Sequence, residues 1–288
     1  MTRRFPYLLA VLLAVLATIV GLATAQQPAA PPKAPIETKA QAPLAFEVTS
    51  VKPRTTPPAP GEFGGIHALP GGQTYQARFV PLKLMIKLMY KITDSQVVGG
   101  PDWINTDHFD VDAKAEKPTS LDNLHIMFQN MLIDRFKLQF HRETRTLPAF
   151  VLTIDKGGSK MKVNENPEPF DFPIKGAGGG PPPTPPTFTG TRCNMEYLGW
   201  WLAQQLNQIQ QIDRPVVDQT GLKGFYDFKL TFAPDFSGRT GPNGEQPPTF
   251  DGPNLFQALK EQLGLKLEST KGPVVVFIID HVEKPAEN

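Results

Sequence analysis

Apolar residues recur at helical spacing in four stretches of the chain. Leu82, Met85, Ile86 and Met89 form an i, i+3, i+4, i+7 stripe, and Pro81 suits the opening turn of that helix. Leu121, Leu124, Phe128, Met131 and Leu132 share one face behind Ser120, which has the chemistry of an N-cap. Met195, Leu198, Leu202, Leu206 and Ile209 make a third stripe; Leu255, Leu259, Gln262 and Leu263 make a fourth, with Phe256 beside it. Strand-like runs lie between them: 46–51, ended by Pro53, then 109–112, 136–140, 149–154, 226–232, 265–267 and 274–279. The pattern predicts an α+β protein.

The order of these runs repeats. The first helix is followed by Val97-Val98, a Gly/Pro turn and His108-Phe109-Asp110-Val111. The third is followed by Val216-Val217, a glycine turn and Phe225-Tyr226-Asp227-Phe228. Phe128-Gln129 then leads through a strand and Pro148 to Ile154-Asp155, as Phe256-Gln257 leads through a strand and Pro273 to Ile279-Asp280. In both copies the aspartate follows the proline by seven residues. This correspondence predicts two diverged β-α-β-α-β-β units packed together, at 44–163 and 188–285. A Pro/Gly-rich loop at 164–187 joins them, and a second such loop at 234–252 interrupts the later unit.

Several blocks carry a family resemblance: FEVTSVKP, QVVGGPDW with FDVDAKA, DRFKLQFHRETRTLPAFVLTIDKGG, RPVVDQTGLKGFYDF and the closing LFQALKEQLGLKLESTKGPVVVFIIDHVEKPAEN. In order and spacing they resemble an uncharacterised, exported domain-of-unknown-function family expanded in soil acidobacteria. In some relatives the domain looks to be appended to a membrane metallopeptidase, which implies extracytoplasmic sensing or partner binding. This chain contains no His-Glu-x-x-His, so the resemblance carries no peptidase activity with it. Each half is also similar to the short N-terminal domain of secretins and TonB-dependent receptors, which implies a small partner-binding α+β module.

The first residues bear on location. Arg3 and Arg4 precede an apolar run at 8–22, and Ala23-Thr24-Ala25 supplies a small-x-small cleavage pattern. The expectation is a signal peptide at 1–25 and export to the periplasm or beyond, the alternative being an uncleaved anchor. Residues 26–43, rich in Pro, Ala and Gln, read as an extended tether. The formal charge of +1, from 29 basic and 28 acidic residues, argues against a nucleic-acid partner. The expected partner is an envelope protein or a small ligand.

Candidate chemistry is sparse. His108, Asp110 and Asp112 alternate along a strand and share a face, which suits either a divalent cation or a solvated surface; the second reading is preferred. Lys137, Gln139, His141, Glu143 and Arg145 share another face, and with Arg142 the HRETR segment is the densest polar cluster in the chain. The HRETR segment is either a grip for an anionic partner or a sheet edge charged against unwanted pairing, and the edge is preferred. Trp200 and Trp201 fall off the main stripe of the third helix, and Trp200 points nearly opposite to it. His141, Arg142, Glu143, Arg145 and Trp200 therefore form the candidate binding surface. His125 reads as a half-buried core histidine, and Cys193, the single cysteine, as a core residue. The sequence holds no nucleophile elbow, phosphate-cradling loop, dinucleotide fingerprint or zinc spacing. No catalytic, cofactor or metal residue is assigned. The leading expectation is a non-catalytic binding module; the alternatives are a hydrolase with its site in a cleft between the units and a structural surface protein.

Overall fold

A computed structural model describes residues 44–286, apart from 70, 167–171, 177–179, 211, 238 and 240–243. The expected signal peptide and tether, and parts of both Pro/Gly-rich loops, lie outside the described residues. The chain begins with β1 (Val48–Arg54), β2 (Gly65–Ala68), β3 (Thr74–Pro81) and α1 (Leu82–Met89). A 3-10 turn at Asp94–Gln96 leads to β4 (Val97–Gly99), α2 (Trp103–Thr106), β5 (His108–Lys114), α3 (Leu121–Arg135) and β6 (Gln139–Ile154). The next elements are β7 (Lys162–Val163), β8 (Ile174–Gly176), β9 (Thr187–Cys193), α4 (Met195–Gln210), β10 (Val216–Asp218) and β11 (Tyr226–Thr231). Finally α5 (Leu255–Ala258) runs through a π-helical turn, Leu259–Leu263, into β12 (Leu265–His281).

The architecture is α+β, with three four-stranded sheets ordered β1-β5-β3-β2, β10-β6-β12-β4 and β7-β11-β9-β8. The predicted helices form where their stripes lie; Pro81 opens α1 without a side-chain cap, and polar side chains cap the other three. Ser120 Oγ accepts the Asn123 N–H at 3.2 Å, Asn194 Oδ1 that of Tyr197 at 2.8 Å, and Asn254 Oδ1 that of Gln257 at 2.9 Å. Leu82, Met85, Ile86 and Met89 are all buried, as the spacing requires.

The expected closing hairpins are absent. The runs on either side of Pro148 are one strand, β6, and those around Pro273 are one strand, β12; the two pair antiparallel along their length. Apart from the short α2, which only the first has, each unit expected as β-α-β-α-β-β therefore runs β-α-β-β-α-β, from β3 to β6 and from β9 to β12. The prolines do not break these strands because neither nitrogen faces a partner. Phe150 donates its N–H outward, away from β12, to Pro215 C=O at 2.9 Å, and Pro148 has the same parity. On β12, Val275 C=O points outward to Gln96 Nε2 at 2.8 Å, and Pro273 shares that parity.

The shared sheet interlocks the halves. β4 pairs parallel with β12, and β10 pairs parallel with β6, so each long strand takes its outer neighbour from the other half. The hydrophobic cores follow suit. Phe277 and Ile279 of β12 are buried with α1, α3 and β5, whereas Phe150 and Leu152 of β6 are buried with α4, α5 and β11.

Candidate functional site

Aspartates fix the approach to α1 and α4. Three residues before each helix, a non-glycine residue sits in the left-handed region: Phe79 at φ 56 and Arg192 at φ 48. Such a conformation is unfavourable for a side-chain-bearing residue and needs outside support. Asp110 Oδ1 accepts the Phe79 N–H at 2.9 Å, and Asp227 Oδ1 accepts that of Arg192 at 2.8 Å. Each aspartate comes from the neighbouring strand at an irregularity of its ladder. This accounts for the His108–Asp110–Asp112 row. Asp110 also holds Arg54 at 3.1 Å, Asp112 holds Arg78 at 2.6 Å, and His108 stacks on Phe79 at 3.8 Å. The row is a positioning device for the α1 approach.

The densest polar cluster lies on β6. His141 Nδ1 is 2.8 Å from Asp280 Oδ2, and its Nε2 is 3.2 Å from Glu143 Oε1. Arg145 holds the other Glu143 oxygen through two nitrogens, at 2.8 and 3.1 Å. Asp280 reaches His141 because β12 carries one extra residue between Ile279 and His281, a bulge that re-aims the side chain. The hydrogen bonds to Asp280 first, and to Glu143 second, raise the imidazole above its ordinary value; Arg145 and then His141 hold Glu143 below its own. In a catalytic relay the imidazole takes a proton from a nucleophile at the nitrogen turned away from its orienting carboxylate, but here Glu143 occupies that nitrogen. The array ties the two long strands together through charge.

The candidate surface divides between two faces. His141, Glu143 and Arg145 share one side of β6, while Arg142 lies over the Phe277 ring at 4.8 Å on the other. Lys137 is not on the strand: it precedes it at φ 51, with Asp134 3.8 Å away. Trp200 lies on α4, and among the described residues no hydrogen bond or ring contact joins it to the cluster. It is half-buried and lines a cleft of about 270 Å³ with Lys91 and Gln96 of the first half, α4 residues, and 273–275 of β12. Its indole N–H is buried with no hydrogen-bond partner among the described residues. Trp201, expected off the stripe, is buried in the second core against Phe188.

β6 is also an edge. Among the described residues, β10 pairs with it only at Phe150–Leu152, and no other strand covers that side from Phe140 to Pro148. Arg142, Thr144, Arg145 and Thr146 are exposed there. Among the described residues, nothing hydrogen-bonds the outward N–H and C=O groups of Thr144 and Thr146.

Two buried groups were visible in the sequence. His125 Nε2 lies 3.1 Å from the Tyr75 hydroxyl, and burial first, then Lys91, pushes the imidazole down to about 4. Cys193 is buried, and desolvation pushes its thiol up to about 12. Asp280 went unassigned to any site, although a carboxylate closing an apolar run is itself a signal. Phe79 and Arg192 carry no local mark.

No helix among the described residues is long and apolar enough to cross a membrane. Neither curated proteins nor solved structures provide a match. The model of a family described as protein of unknown function, DUF3738, matches residues 83–282, from α1 through β12 and so across both halves. The chain belongs to the DUF3738 family.

Proposed function

We propose that this chain is an exported, non-catalytic binding module of the bacterial envelope, built from a duplicated β-α-β-β-α-β unit, that engages a protein partner along the open edge of β6. The observation that carries the reading is the nine-residue open stretch, Phe140–Pro148, in the middle of the molecule. An unpaired edge is a template for an added strand, with backbone bonds supplying affinity and alternate side chains supplying selectivity. The apolar run at 8–22 behind Arg3 and Arg4 supports export. The chemistry of His141 and Cys193 speaks against catalysis: one has both nitrogens engaged by carboxylates, and the other is a buried thiol.

The test is capture of partners from envelope extract by the purified protein and by a Thr144→Pro, Thr146→Pro variant. Both substitutions remove outward N–H groups and spare the β12 ladder, as Pro148 already does. Specific capture lost in the variant supports the proposal. Capture of no protein at all, further copies of this chain included, or capture unchanged in a variant whose circular dichroism matches the parent, contradicts it.

A second reading attaches to the Trp200 cleft. Its unpartnered indole N–H and the nearby Lys91 suit a small ligand bearing an acceptor group. Tryptophan fluorescence that responds saturably to envelope extract, and fails to respond in Trp200→Phe, would favour it.

A further inference from the structure

The partner that best fits the β6 edge is a second copy of this chain, which we infer from the direction, length and charge of the open stretch; the inference rests on the edge-binding reading above. The direction restricts the register. Outward backbone groups on β6 belong to the even-numbered residues, since Phe150 N–H donates to Pro215 C=O and Leu152 C=O accepts from Gln219 N–H on the β10 side. Two such edges meeting antiparallel must set outward residue against outward residue, so the two-fold axis passes through a single residue position.

Charge then selects among the positions. An axis at Glu143 sets that carboxylate against its own copy, and an axis at Arg145 does the same for guanidinium. Like charges directly opposite each other on a ladder are destabilising. An axis at Thr144 sets Glu143 opposite Arg145 twice. Because Glu143 and Arg145 already pair within the strand at 2.8 Å, the result is a closed ring of four alternating charges.

Length picks out the same centre. The open stretch runs from Phe140 to Pro148, and Thr144 is its midpoint. The nine residues face their counterparts, Pro148 falls opposite Phe140, where its carbonyl can accept but it has no N–H to donate, and the added strand stops short of β10. Two four-stranded central sheets become one of eight. The open edge of β12 does less well. Its charge-matched centre is Leu267, with Lys266 opposite Glu268, but β12 begins at Leu265 and so only five residues pair there.

Sedimentation velocity over a range of concentrations provides the test, with the parent protein expected in a reversible monomer–dimer equilibrium. Glu143→Arg and Arg145→Glu each place two like-charged pairs across the axis and should weaken the dimer by roughly 10-fold. Mixed together, these two variants face each other with opposite charges at every position and should regain affinity to within roughly 3-fold of the parent. Oxidised Thr144→Cys should yield a covalent dimer, since directly opposed hydrogen-bonded residues lie at about 5.5 Å between Cα atoms, within disulfide reach; Leu267→Cys, at the centre of the competing β12 pairing, should not. If Glu143→Arg fails to fold, having lost its His141 contact, the cysteine pair decides alone. A protein monomeric at every concentration, variants that do not complement each other, or cross-linking through Leu267→Cys in place of Thr144→Cys would each overturn the inference. A monomeric parent whose envelope capture still depends on Thr144 and Thr146 refutes self-pairing and leaves the edge-binding reading standing.

Discussion

Arg192 and Asp227 face each other across the β9–β11 pair, with the Arg192 N–H donating to Asp227 Oδ1 at 2.8 Å, and Phe79 and Asp110 repeat the relation at 2.9 Å across β3–β5. In each case the carboxylate holds a left-handed residue that turns the chain into a helix. Asp227 also accepts from Asn164 Nδ2 at 2.8 Å, so it anchors the segment before β8 as well. Removing it strands a part-buried N–H in a conformation its residue does not favour. Asp227→Ala is expected to destabilise by about 2 kcal/mol, and Asp227→Asn by about 1 kcal/mol. Equilibrium urea unfolding checks both. Asp110→Ala should behave alike and also release Arg54.

Buried His125 predicts an acid-side loss of stability. Desolvation and Lys91 depress its folded-state value to about 4, against 6.5 ordinarily, while Asp122 pulls weakly the other way. The unfolded chain therefore binds the extra proton between those two values. The contribution is complete above about pH 6.5, falls as pH is lowered towards 4, and totals roughly 3 kcal/mol. His125→Gln should flatten the pH dependence of the urea midpoint across that window. An unchanged slope would remove His125 as its source. His141 works in the opposite sense: its raised value stabilises below the ordinary range, and that contribution fades as pH rises through the folded-state value.

The periodicity of the chain located all four main helices because their stripes bury directly against sheets, as Leu121 and Leu202 do. Pro148 and Pro273 hide the continuity of the long strands, because proline normally signals a turn. What decides is the direction in which the missing N–H would point, and that depends on pairing parity, which a single strand does not reveal. β2, β3 and β9 escaped notice because part-exposed, polar-rich runs such as Thr187–Cys193 lack clean alternation. The HRETR segment was legible as an edge. Its bond to Asp280 was not, since it depends on a bulge about 140 residues downstream.

Gly264 closes the last helix at φ 68, and a Cβ there would run into the backbone carbonyl of Gly158. That loop cannot retreat freely, because Lys160 N–H donates to Leu263 C=O at 2.9 Å and Asp155 N–H to Gly264 C=O at 2.9 Å. Gly264→Ala is expected to cost more than about 3 kcal/mol, the sum of conformational strain and a clash with main chain. Thermal unfolding would show a fall in midpoint of several degrees or more. A midpoint within a degree of the parent would mean that the loop yields.

Cys193 predicts slow thiol chemistry. A fully buried sulfur whose ionisation lies near 12 presents almost no thiolate at neutral pH. Labelling by an aromatic disulfide should follow the global unfolding rate across a urea series and stay independent of reagent concentration. Rapid labelling under native conditions would show local opening around the β9–α4 junction.

Phe277 and Ile279 carry a consequence for synthesis. They complete the packing around Leu82 and Phe128, yet they are translated long after those residues have left the ribosome. Early helices must wait, half-covered, for a strand made near the end, and vectorial, piece-by-piece folding is closed to this topology. Such a chain stays pliable until it is nearly whole, the condition in which a polypeptide can still be threaded through a narrow pore.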